Sequence, residues 1–184
     1  MMKSGTIMGI DPGTNLLGFG VIRVDGRKVS FVDMGVVDMR KEKDHFSKLR
    51  KLGREMNRLL DIYAPDELSV ESPFYGKNPQ VMLKLGRAQG AAVTAALLRD
   101  IPVTEYAPRQ AKIAITGVGA ASKEQVSNMI CKILNVDLDP AYLDATDALA
   151  LALCHYFHEI SPLTRVRTSG DWKQFLEAHP ERIK

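Results

Sequence analysis

The sequence predicts an α/β protein, a mixed sheet with helices on both faces. Three observations carry that prediction. The chain opens with three β-rich runs separated by turn signals. It continues in alternation, helix, strand, helix, strand. It ends on helices, the last of them apolar at every position from Ala148 to Cys154. Its 184 residues suffice for one well-packed domain and fall short of two. The domain is expected to span residues 1–160, with 161–184 as a tail.

The elements follow in order. Thr6 to Asp11 is a short apolar run stopped by Pro-Gly, a buried strand with a turn after it. Leu17 to Val24 and Lys28 to Met39 are the next two strands, with Asp25-Gly26 between them as a hairpin signal. From Asp44 to Tyr63, Phe46, Leu49, Leu52, Met56, Leu59 and Leu60 recur at helical spacing, and Pro65 ends the helix. Glu67 to Ser72 is a fourth strand, again closed by a proline. Pro79 to Arg99 is a long helix, with Asn78 at the N-cap and proline at the first helical position. Val103 to Tyr106 is a fifth strand. Arg109 to Ile115 and Ser122 to Leu134 are two further helices, the second capped by Ser122. Asp139-Pro140 opens the last helix, which runs to about His158. Residues 161–184 are polar and weakly patterned, with a short helical stretch at Trp172 to Leu176. The tail also carries Arg165 and Arg167.

Bulk properties exclude some classes. A net charge of +3, with 45% hydrophobic and 26% charged residues, is ordinary for a soluble domain and does not by itself argue for nucleic acid. No apolar run approaches the ~18 residues of a membrane span. The first ten residues lack the apolar core and cleavage site of a secretion signal. Cys131 and Cys154 read as buried free thiols, and without spaced histidines they make no zinc site. A cytoplasmic protein with no membrane contact is expected.

Within the apolar last helix stand two carboxylates, in DATDALALAL at residues 144–153. At about 100° per residue, positions 144, 147, 148, 151 and 155 share one face. The helix therefore reads as buried all round except along the stripe bearing Asp144 and Asp147. A buried ionised carboxylate costs several kcal/mol unless something positive neutralises it. Capping does not account for the pair, because Asp139 already fits the N-cap and Asp147 lies two turns in. Local pattern alone leaves both a solvated acid stripe and a metal or catalytic pair open. Asp11 and Glu71 each end a short buried strand, where turns and functional groups both occur. Together the four would form an oxygen-rich cage suited to hard divalent cations rather than zinc. Two such ions can clamp the attacking and leaving oxygens of a phosphoryl transfer.

Four stretches together carry a resemblance. They are GIDPGTNLLGFG at 9–20, VESPFYGKN at 70–78, EYAPRQAK at 105–112 and DATDALA at 144–150. In order and spacing, from about Thr6 to His158, the chain resembles the RuvC family of bacterial Holliday junction resolvases. The resemblance implies a ribonuclease H-like fold with a mixed five-stranded sheet. It implies a homodimer that makes paired, metal-dependent symmetric nicks in a four-way DNA junction, leaving 5′-phosphate and 3′-hydroxyl ends, in recombination and repair. It implies two Mg²⁺ per active site, with Mn²⁺ as a substitute. A branch-migration complex, made of a junction-binding protein and a ring ATPase motor, is the implied partner.

By motif, Asp11, Glu71, Asp144 and Asp147 match the family's four acidic residues; some members carry His in place of Asp144, which makes its role base-like or supporting. Phe74 matches an aromatic that stacks on an unpaired base. Lys112 and Lys123 match basic residues facing the DNA backbone. Tyr75, Lys77 and Asn78 from the same loop as Phe74, and Arg109 beside Lys112, complete the expected DNA-binding set. Gly117 and Gly119 make a loop into a helix N-terminus, a place where phosphates bind readily. One departure is Arg87-Ala-Gln89, where the family often reads Gln-Ala-Arg, which puts the phosphate contact there in doubt. Gly86 and Gly90 mark the helix from Pro79 as a candidate dimer contact, and a two-fold junction calls for a two-fold enzyme. Two rivals remain: a junction-binding protein without nuclease activity, and an actin-like ATPase suggested by Asp11-Pro-Gly-Thr14, which would need a second α/β domain that the chain has no length for.

Overall fold

Among the described residues, ten elements follow one another: β1 (Ser4–Pro12), β2 (Leu16–Asp25), β3 (Lys28–Asp38), α1 (His45–Tyr63), β4 (Glu67–Glu71), α2 (Pro79–Leu97), β5 (Val103–Tyr106), α3 (Pro108–Thr116), α4 (Lys123–Leu134) and α5 (Leu143–Ile160). The structure is a computed structural model and describes residues 4–72, 78–137 and 143–160, without the side chains of 143 and 144. The expected Asp139 cap and Pro140 start of the last helix, and the tail with its helix at 172–176, lie outside the described residues.

The five strands form one sheet in the order β3-β2-β1-β4-β5. The first three pair antiparallel, as hairpins must, while β1, β4 and β5 run parallel because helices cross between them. The expected mixed five-stranded sheet is present. Its first strand is longer than the apolar run suggested, because Ser4 and Gly5 pair with Asp25 and Val24. The two-residue hairpin loop is Gly26-Arg27, not Asp25-Gly26: Asp25 pairs with Lys28, and Gly26 takes φ +60°. A positive φ at the first loop residue is what glycine supplies without steric cost.

Each face of the sheet carries its own core. Met8, Ile10, Leu68 and Val70 point toward α1 and α2, packing on Leu52, Met56, Leu59 and Ala92. Ile7, Ile22 and Tyr106 point the other way, toward α3, α4 and α5. Strand side chains alternate between faces, so Gly9 and Asp11 share Ile7's face. By the same parity Glu67, Ser69 and Glu71 lie opposite Leu68 and Val70.

The helix ends are fixed as the sequence indicates. Asp44 caps α1 by accepting from Ser47 N, and Ala64 ends it at φ 40° just before Pro65. The Asn78 side chain accepts from Gln80 N and Val81 N at the start of α2. Ser122 and Gln125 cap α4 reciprocally.

The packing of α5 departs from expectation. Ala148, Leu151 and His155, on the stripe assigned to solvent, are buried along with the rest of the helix. Two glycines make this possible. Gly9 and Gly20 face each other across β1 and β2. A Cβ at Gly9 would lie 2.0 Å from the Ala148 carbonyl oxygen, and one at Gly20 would lie 2.7 Å from the Leu149 nitrogen. The pair forms a side-chain-free notch into which α5 settles, backbone against sheet. Cys154 is buried in this layer, and burial pushes its thiol up to about 12. Cys131 is free but only half-buried, against the expectation for both. No helix among the described residues is long and apolar enough to cross a membrane.

Candidate functional site

Parallel strands β1 and β4 end side by side, with Ile10 paired to Val70. The next residue of each is Asp11 and Glu71, both directed to the α5 face by strand parity. α5 lies in its glycine notch with Ala148 against Gly9, which brings Asp147 over the ends of the two strands. Asp11, Glu71 and Asp147 thereby line one cavity of about 510 Å³, together with Lys112, Lys123 and Val126. Three of the four expected acids, drawn from three elements, converge. The side chain of Asp144, one turn earlier on α5, lies outside the described residues.

Electrostatics marks the cluster. The Glu71 carboxyl is pushed up to about 8, first by burial, then by the negative charge of Asp11 and its hydrogen bond with that residue, then by Asp147; Lys123 opposes. Burial and the crowding of acids both favour the protonated form of Glu71. Lys123 Nζ pairs with Asp147 Oδ2 at 2.5 Å. Among the described residues no three carboxylates are drawn tightly enough to ligate one ion as they stand. The donor set is nevertheless all oxygen and raises its own proton affinity, which is the chemistry a hard divalent cation relieves. The residues present fit such a group.

The basic residues divide. Lys112 and Lys123 line the acid cavity, though Lys112 Nζ also donates to Ala121 O at 2.7 Å. Arg109 is exposed and lies across Gly119, where a Cβ would meet its side chain at 2.8 Å. The Asn78 side chain is spent on capping α2. Phe74, Tyr75 and Lys77 lie outside the described residues.

Sequence reasoning missed three features. Gln89 is buried on α2 and donates to the Glu71 carbonyl (3.2 Å) and to Glu105 Oε1 (3.0 Å). It braces β4 directly behind Glu71, so it is not aimed at a phosphate. A polar side chain among Ala88, Ala92 and Ala96 was the available signal. His155 is buried between Glu67, through Nε2, and the Tyr106 hydroxyl, through Nδ1 at 2.9 Å. The third feature is the Gly9–Gly20 notch.

Known proteins resemble this chain in sequence and in fold. The family model for "Crossover junction endodeoxyribonuclease RuvC" matches residues 7–155. A protein of that name from Bacteroides fragilis is 49% identical over 185 residues, covering 100% of this chain and 98% of its own length. The solved Thermus thermophilus RuvC structure superposes with a TM-score of 0.75 at 32% identity, over 84% of this chain and 95% of that one. A second structure, T. thermophilus RuvC in complex with Holliday junction substrate, gives 0.74 at 30% identity, over 84% and 94%.

Proposed function

The chain belongs to the RuvC family of crossover junction endodeoxyribonucleases, and on that premise we propose that it resolves four-way DNA junctions by metal-dependent hydrolysis at Asp11, Glu71, Asp144 and Asp147. The observation that carries the reading is the convergence of Asp11, Glu71 and Asp147 in one cavity that also holds Lys112 and Lys123.

Asp11, Glu71 and Asp147, of which Glu71 interacts with both of the others, would hold the ions, and Asp144 is expected to complete the set. Two Mg²⁺ ions held by these oxygens would supply Lewis-acid activation of a water and neutralise charge building on the phosphate and the departing 3′ oxygen. Positive charge held in the cavity would favour the ionised form of Glu71. Lys123 holds Asp147 at the rim, and a phosphodiester would compete for that ammonium and release the carboxylate. Lys112, fixed by Ala121 O, orients its charge toward the same space. Phe74 is assigned to stack on a base opened at the crossover, worth ~1–3 kcal/mol, with Tyr75, Lys77 and Arg109 along the backbone.

A two-fold substrate calls for a two-fold enzyme. Leu83, Gly86, Gly90 and Leu97 fall within one narrow arc of α2 and are exposed. Open space surrounds both glycines. That face supports homodimerisation through α2. The branch-migration complex and a cytoplasmic setting rest on family resemblance alone.

The test is a synthetic four-way junction incubated with and without Mg²⁺, mapped to the nucleotide on both strands. Paired symmetric nicks that require the metal are expected. A mobility shift with no nicks under any divalent ion would favour a non-catalytic junction binder instead.

A further inference from the structure

A dense run of positive charge in the sequence lies outside the acid cavity. Between Arg40 and Arg54 stand seven basic and two acidic side chains, a local excess of five positive charges. The whole chain nets +3, so everything outside that segment is acidic by two. Some of this charge is already engaged. Arg40 pairs with Asp38 at 2.7 Å and Lys51 with Glu42 at 3.4 Å, while Asp44 caps α1. Lys41, Lys43, Arg50 and Arg54 are exposed. None lies on the buried face of α1, which is Leu52, Met56, Leu59 and Leu60.

The location matters as much as the count. β3 runs back toward the end of the sheet where β1 stops, so the β3–α1 connection and the start of α1 border the acid end. Two contacts fix this. Lys48 Nζ donates to Asn15 Oδ1 at 2.6 Å, and Met39 N donates to Asn15 O at 2.8 Å. Asn15 in turn shares a shallow depression of about 230 Å³ with Asp11 and Gly13. On the same helix start a second groove, of about 290 Å³, is lined by Glu42, Ser47, Arg50, Lys51, Arg54 and Glu55, three cations against two acids, with Lys51 already paired to Glu42. Arg50 and Arg54 are one turn apart, a rise of about 6 Å, and a DNA strand carries a charge every ~3.4 Å along its axis.

We propose that the surface from Lys41 to Arg54 is a second DNA-contacting site, which takes the phosphate backbone of a duplex arm leading away from the crossover. It rests on the reading of the acid cavity given above and extends it. Acids stand among these cations, but the positive excess remains, and an excess of one sign that borders a phosphodiester site suits a polyanion. The arginine fork adds bidentate recognition of phosphate oxygens. Charge complementarity and this position select duplex DNA over an acidic protein, which would have no reason to abut the cavity.

The experiment measures junction affinity of the full-length protein across a salt series. The variant carries Lys43→Gln, Arg50→Gln and Arg54→Gln, all exposed, with its melting temperature checked against the parent. Each lost phosphate contact should lower the slope of log affinity against log salt by about 0.9, so the triple variant should fall by about 3. Lys28→Gln, beside the Gly26-Arg27 turn at the opposite end of the sheet, serves as control and should leave the slope unchanged. An unchanged slope in the triple variant overturns the proposal and leaves the patch to another partner. An equal fall in the Lys28→Gln control overturns it too, because the effect would then be general. Mg²⁺-dependent nicking by the parent protein is read in parallel: its absence would sink the nuclease reading, whatever the slopes do.

Discussion

The two ends of α5 rest on the same face of the same sheet and are built on opposite principles. At the far end His155 bridges Glu67 and Tyr106, so each buried polar group meets a complementary one. At the near end Asp11, Glu71 and Asp147 crowd acids into a half-buried site, where burial first and the neighbouring carboxylates second push Glu71 up to about 8. Complementary burial makes a clamp that fixes where the helix sits. Crowded burial of like charges costs stability and persists where the strain has a use. Between the two ends, the Gly9–Gly20 notch sets how closely the helix approaches, so the clamp and the notch together hold Asp147 over the strand ends.

That contrast can be broken at either end. The largest effect belongs to the crowded end. Asp11→Asn should reduce junction cleavage on the order of 10³-fold or more, measured as single-turnover nicking, while junction binding persists and the metal-free melting temperature holds or rises. In the middle, Gly9→Val forces a side chain into the Ala148 carbonyl and should cost about 3 kcal/mol or more, read from denaturant unfolding. At the clamp, His155→Leu leaves Glu67 and Tyr106 without their buried partner and should cost ~1–3 kcal/mol, with cleavage by the folded fraction persisting. Loss of cleavage without loss of stability in that variant would mean that the two ends are not separable.

The crowded end also sets a pH dependence, and its sign follows from the direction of the shift. Glu71 titrates at about 8 when folded and near its ordinary 4.5 when unfolded. Between those values the folded state binds the extra proton, so stability falls as pH rises through the window. The melting temperature of chelator-treated protein should therefore decline from pH 4.5 to pH 8, and Mg²⁺ should recover it at pH 8. A melting temperature flat across that window would contradict the crowding.

Much of this was legible in the sequence, for local reasons. Strand and helix order follows from Asp25-Gly26, Pro65, Asn78-Pro79 and the periodicity of α1, all short-range signals. The acids stood out because a carboxylate at the end of an apolar strand, or inside an apolar helix, has no cheap local explanation. What escaped depends on register and long-range contact. Gly9 and Gly20 acquire their meaning only when β1 and β2 pair in one register. His155 meets Glu67 across 88 residues of sequence, and nothing near either residue announces the other. The order Arg87-Ala-Gln89 put a phosphate contact there in doubt, and only the fold shows Gln89 turned toward the Glu71 carbonyl. Asn78 was correctly identified as a cap, and the same hydrogen bonds turn its amide oxygen toward α2.

The central claim is that Asp11, Glu71 and Asp147 form one electrostatically coupled cluster able to hold cations. Carboxyl-carbon NMR titration of Glu71 tests it most directly, in metal-free parent protein and in Asp11→Asn. The account predicts a midpoint at about 8 in the parent, a lower midpoint in Asp11→Asn, and a further fall in the parent on adding Mg²⁺. A Glu71 midpoint near 4.5 that neither the substitution nor the metal moves would contradict it.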